Sequence, residues 1–125
     1  MSQSNEGSVL NSILGKRLDA VCFILNYINF QFGDLVLAAL AKPEIVKGND
    51  LQTEGQAGYR DALCGEIQQH VTATSETIEK LEISLSSGTR IVVPLNANDP
   101  PGPEMATLSG RGRFITAWLR PEAAP

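Results

Sequence analysis

The stretch GYRDALCGEIQQHV, residues 58–71, gathers most of the side chains in this sequence that could do chemistry. Cys64, Glu66 and the only histidine, His70, fall close together there, beside Arg60 and Asp61. Two chemistries are open to such a set. One is a thiolate activated by an imidazole, and the other is a carboxylate base of perturbed acidity beside an imidazole. The apolar spacing of Tyr59, Ala62, Leu63 and Ile67 predicts a helix, at about 100° per residue. On it Cys64 and His70 point roughly 120° apart, so the thiol–imidazole pair is not what this spacing produces. Glu66 and His70, at i and i+4, do face each other and share the apolar stripe. Glu66, His70 and Cys64 are therefore the candidate catalytic residues. The competing reading has Glu66 at the rim of a packing helix and His70 opening the next strand. Arg60, one turn before Cys64, would favour a thiolate or meet an anionic ligand.

SGRGR, residues 109–113, supplies Arg111 and Arg113 as further candidate ligand-binding cations. It lacks the length and the Lys-Ser/Thr ending of a P-loop. Two cysteines and one histidine have no metal-ligand spacing, and no nucleotide fingerprint, Ser-His-Asp pattern or cofactor lysine motif is present, so no metal and no cofactor are expected.

The elements that would position these residues form a pattern. Sliding the chain along itself by 53 positions brings Leu10 onto Leu63, Leu18 onto Val71, Phe30 onto Ile83 and Phe32 onto Leu85. This suggests an internal repeat. Each unit would be a helix followed by a three-stranded antiparallel meander, with strands near 17–24, 27–32 and 35–41, then 70–76, 79–85 and 89–95. Gly33-Asp34 reads as a two-residue hairpin loop setting Phe32 opposite Leu35 and Phe30 opposite Leu37. Ser86-Ser87-Gly88 reads as a three-residue loop with Gly88 left-handed, pairing Ile83 with Ile91 and Leu81 with Val93. The expected fold is α+β: one domain over 1–125, with repeat 1 at about 8–46, a loop at 47–58, repeat 2 at about 59–95 and a C-terminal extension at 96–125. The two units would be related by a pseudo-twofold and packed as a sandwich or barrel-like sheet. Phe114, Thr116 and Trp118 alternate as a last strand would.

Bulk properties narrow the function classes. At 125 residues, 42% apolar and 19% charged, the chain has the composition of one globular domain. A net charge of -4, with ten basic residues scattered along the chain, argues against a nucleic-acid partner. The most apolar run, residues 18–41, is interrupted by Asp19, Asn26, Asn29, Gln31 and Asp34 and reads as sheet rather than membrane span. MSQSNEGS has neither the basic nor the apolar region of a signal peptide, so a cytoplasmic protein with reduced thiols is the expectation.

LGKRLDAVCFILNYINFQF, GYRDALCGEI, LEISLSSGTRIVVPL and GPEMA together resemble the ordered segments of a group of small uncharacterised bacterial proteins, a domain-of-unknown-function family, over residues 10 to about 106. The resemblance implies a bacterial source and carries no activity, cofactor or catalytic residue with it. The functional expectation is a non-enzymatic binding or protein-interaction domain, acting on a protein partner or as a homodimer through the loop at 47–58 and the proline-rich segment at 95–104. The alternative is a small enzyme or small-ligand-binding domain with a pocket near Glu66 and His70.

Overall fold

The computed structural model describes residues 9–96, 103–110 and 112–120. It is a mainly β protein of two five-stranded antiparallel sheets. In chain order the strands are β1 (Leu18–Ile24), β2 (Tyr27–Phe32), β3 (Leu35–Ala39), β4 (Glu44–Lys47), β5 (Asp50–Gln52), β6 (Val71–Glu76), β7 (Lys80–Leu85), β8 (Arg90–Pro94), β9 (Glu104–Gly110) and β10 (Arg113–Leu119). The first sheet runs β1-β2-β3-β9-β10 and the second β5-β4-β8-β7-β6. Helical structure among the described residues is one 3-10 stretch, Val9–Ile13, and one six-residue helix, α1 (Tyr59–Cys64).

Period-2 alternation explains the layering. Ile28, Phe30 and Phe32 of β2, Leu35, Leu37 and Ala39 of β3, and Ala106 and Leu108 of β9 turn inward from the first sheet. They meet Leu81, Ile83 and Leu85 of β7 with Ile91 and Val93 of β8 from the second. Both hairpin registers read from the turns are present: Phe32 pairs with Leu35 across Gly33-Asp34, and Ile83 pairs with Ile91. Gly88 takes φ 93 in the Ser86-Ser87-Gly88 loop, where a side chain would be strained.

One side of the sandwich is stitched shut. Arg17 and His70 form an antiparallel bridge, flanked by Leu18 N–H to the Gln69 carbonyl (2.8 Å) and Val71 N–H to the Lys16 carbonyl (2.9 Å). Asp19, the extra residue of a bulge in β1, accepts from Arg17 Nε (2.7 Å) and from Gly33 N–H (3.1 Å). The Arg17 hydrogen bond, ahead of its charge and of the Gly33 amide, holds the Asp19 carboxyl below its ordinary value.

The α+β expectation and the internal repeat are overturned. Sequence similarity under the 53-residue shift is the shared alternation of two half-buried meanders, which any such pair displays. The surroundings of the two meanders differ. The first is preceded by a 3-10 stretch and is completed by β9 and β10, so the supposed extension at 96–125 supplies two strands of the first sheet. The second is completed by β4 and β5, which crosses the 47–58 segment read as a loop. Among the described residues only α1 covers core from a true helix, and it contributes two buried side chains, Tyr59 and Leu63.

Candidate functional site

The loop before α1 is closed on itself. Gln56 Oε1 accepts from the backbone N–H (2.6 Å) and hydroxyl (3.3 Å) of Thr53, and Gln52 Nε2 donates to the Ala57 carbonyl (3.4 Å). Gly58, at φ 85, turns the chain into the helix. Tyr59 then anchors it by donating its hydroxyl to the Pro43 carbonyl at 2.5 Å. Burial, with the charges of Glu54 and Glu44 added, pushes the Tyr59 phenol well above its ordinary value, so it stays a donor.

The helix stops at Cys64, short of the length its apolar spacing suggests. Gly65 follows, and Gln68 at φ 88 reverses the backbone; it is the one non-glycine residue with positive φ among those described. The i,i+4 pairing of Glu66 with His70 is thereby lost. Glu66 is 3% exposed, and its carboxylate lies under the β7–β8 turn. It accepts from the hydroxyls of Ser87 (2.5 Å) and Thr89 (3.0 Å) and faces Lys47 Nζ at 3.6 Å. His70 is exposed; its backbone N–H donates to Ser86 Oγ (3.0 Å) and its carbonyl accepts from Ser86 N–H (2.8 Å). Cys64 is an exposed free thiol, and the Arg60 guanidinium stacks over the Phe23 ring, 5.2 Å from its centroid. The structure therefore ties the Glu66 carboxylate to a turn and leaves Cys64 and His70 exposed.

Arg113 opens β10 and is exposed, beside a shallow depression that also holds Asp34 and Ser109. Arg111 lies outside the described residues, as do residues 97–102 of the proline-rich segment. Gly110 of SGRGR is a strand glycine rather than a ligand loop. A Cβ there would stand 2.6 Å from the Asp34 carbonyl oxygen, so its absence lets β3 and β9 close on each other. Among the described residues no group of three or more His, Cys, Asp or Glu side chains is arranged to hold a metal ion, and no helix is long and apolar enough to cross a membrane.

A cleft of about 350 Å³ does exist, but at another place. Its floor and one wall come from the β1–β2 hairpin: Phe23, Ile24, Leu25, Tyr27 and Ile28. The other wall comes from residues 54–58 and the first turn of α1, with Arg60 and Asp61, and Lys42 enters from the β3–β4 crossover. Leu25 sits at the hairpin tip and is 92% exposed. Of the sequence candidates among the described residues only Arg60 lines this cleft. The missed signal was the run FILNY, in which apolar residues continue through a turn where polar ones are usual. No protein-family model, curated protein or solved structure matches this chain.

Proposed function

We propose that the chain is a non-enzymatic protein-interaction domain of the cytoplasm, which takes an apolar side chain of a partner protein into the cleft between the β1–β2 hairpin and α1. The observation that carries this reading is Leu25, presented to solvent at the mouth of a cleft with an apolar hairpin wall and a charged rim. A large apolar residue at a turn tip gains nothing for the isolated fold, whereas covering it by a partner contributes about 1.5–3 kcal/mol. Lys42, Glu54, Arg60 and Asp61 form a rim of both signs, which suits the polar border of a protein partner better than a polyanion. The cation–π contact holds Arg60 in place over Phe23, so part of its ordering cost is met before binding. Two exposed, unpaired thiols, Cys22 and Cys64, accord with a reducing compartment.

The test is photocrosslinking from position 25 in the native cytoplasm, followed by titration of the captured protein with purified chains. Leu25→Asp is expected to weaken binding by about 10- to 100-fold, the equivalent of one buried leucine, with an unchanged melting temperature. Wild-type affinity in both Leu25→Asp and Arg60→Glu would overturn the proposal.

A further inference from the structure

The outward faces of the two sheets differ in charge. The second sheet carries Lys80, Glu82 and Arg90 outward, with Arg90 Nη1 on Glu82 at 2.6 Å. The first sheet presents mostly small, neutral and apolar side chains across five strands, and its charged groups lie toward the strand ends: Glu104 at one, Asp34 and Arg113 at the other. Its central part is a shallow depression shared by side chains of β2, β3 and β9. Five strands at about 4.8 Å spacing and about 20 Å long give on the order of 480 Å² per copy, or roughly 1,000 Å² when two such faces meet. That reaches the lower bound for a specific interface.

We propose that this face is the interface of a homodimer whose two-fold axis runs close to β3. Self-complementarity argues for a second copy. In the ladder Asn29 is level with Ala38, and Ala38 is level with Thr107, so rotation about β3 lays Asn29 over Thr107 of the other copy. Gln31, Val36 and Ser109 likewise share a row, which brings Gln31 over Ser109. Tyr27 and Glu104 lie at one end of the face, one strand either side of β3, so the phenol of one copy reaches the carboxylate of the other. Each pairing joins a donor to an acceptor. Asn29 Oδ1 is the one buried side-chain polar atom without a hydrogen-bond partner among the described residues, and a turn about χ2 offers it to the Thr107 hydroxyl.

The outer strands are apolar or small as well. Ala20 falls over Phe114, Cys22 over Ala117 and Ile24 over Leu119, so the bulky Phe114 meets the small Ala20. Phe114 (63% exposed) and Leu119 (57%) are thereby covered. A two-fold running across the strands would stack Phe114 on Leu119 at one edge and leave Ala20 opposite Ile24 at the other. Two copies of charge -4 meet through faces whose central rows carry no charge, which limits like-charge contact at the interface. An axis along β3 also keeps both hairpin-tip clefts at the same end of the dimer. If the proposed partner reading holds, the dimer is bivalent.

Sedimentation equilibrium tests the proposal on the full chain. The wild type is expected at twice its 13.4 kDa chain mass. Ala38→Arg, which sets like charges against each other on the axis, is expected to raise the dissociation constant by about 100-fold or more at unchanged circular dichroism. Ser84→Arg, on the second sheet, should leave the dimer intact. In a Cys64→Ser background, a short bis-maleimide should link Ala117→Cys chains through Cys22 and leave chains with Cys22 alone unlinked. A wild type that stays monomeric into the millimolar range, or a dimer indifferent to Ala38→Arg, overturns the interface. Crosslinking through Cys22 alone overturns the axis. These outcomes do not depend on position 25, so they separate from failure of the cleft reading.

Discussion

Replacing Glu66 distinguishes a framework carboxylate from a catalytic one, and the structure sets the size of the effect. Glu66→Ala removes the acceptor of two hydroxyls, from Ser87 at 2.5 Å and Thr89 at 3.0 Å. Each is a hydrogen bond to a charged group, worth about 1.5–3 kcal/mol before relaxation. Ser87 is exposed and recovers most of its share from water. Thr89 is 4% exposed and does not, so its hydroxyl carries the penalty of about 1–3 kcal/mol for an unsatisfied buried group. Lys47 is half exposed and 3.6 Å away, so the ion pair adds less than about 1 kcal/mol. The expected loss is about 2–4 kcal/mol, or roughly 6–16 °C of melting temperature for a chain of this size. Glu66→Gln keeps the shape, and its amide nitrogen donates to one hydroxyl oxygen where the carboxylate accepted, so its loss should be about half as large. Thermal unfolding by circular dichroism measures both. A Glu66→Ala chain that melts within 2 °C of wild type (a shift of about 0.5 kcal/mol) refutes the reasoning and returns the carboxylate to the list of functional groups.

Contacts at three further sites set other outcomes. Tyr59→Phe, which deletes the donor to the Pro43 carbonyl, should lower stability by about 1–2 kcal/mol in urea unfolding. Because the folded-state phenol titrates above its ordinary value of 10.0, wild-type stability should fall as the pH rises past 10, when the unfolded phenol ionises first, and Tyr59→Phe should flatten that fall. Asp19 has the opposite sign: its carboxyl is held below 3.8, so its contribution is present above that pH and fades as the pH drops through the folded value. A carboxyl-carbon NMR titration should therefore give Asp19 a midpoint lower in wild type than in Arg17→Ala. Gly110→Ala should cost about 1–3 kcal/mol, since the new Cβ meets the Asp34 carbonyl oxygen and Leu35 Cδ2 at 2.6 and 2.7 Å; a wild-type urea midpoint would show that β3 yields freely there.

The strands of the two meanders were legible because their determinants are local, whereas β5 and β9 were not. Gly33-Asp34 and Ser86-Ser87-Gly88 fix registers by turn chemistry, and alternation through Ile28, Phe30 and Phe32 fixes which face is buried. The layer arrangement was not legible, because strand order is set by pairings distant in sequence. Nothing local marks Leu37 for Leu108, or Ile45 for Ile91. The helix pattern misled for a related reason. Tyr59, Leu63 and Ile67 do recur at helical spacing, yet Gly65 and left-handed Gln68 end the helix, and the 16–18 and 68–71 segments pair instead. That pairing sends Glu66 to Ser87 and Thr89, residues whose proximity depends on the β7–β8 turn lying beneath the end of α1. The cleft escaped notice because Leu25 and Arg60 become neighbours only when the β1–β2 hairpin is folded against α1, although Leu25 in a turn was itself a readable anomaly.

Amide hydrogen exchange on the chain with and without the protein captured from position 25 distinguishes contact through the hairpin-tip cleft from contact through the Cys64–Glu66–His70 stretch. New protection is expected at residues 23–28 and 54–61, with 66–70 and 87–89 unchanged. Protection confined to 66–70 and 87–89 would place the contact on the other stretch and rule out the cleft.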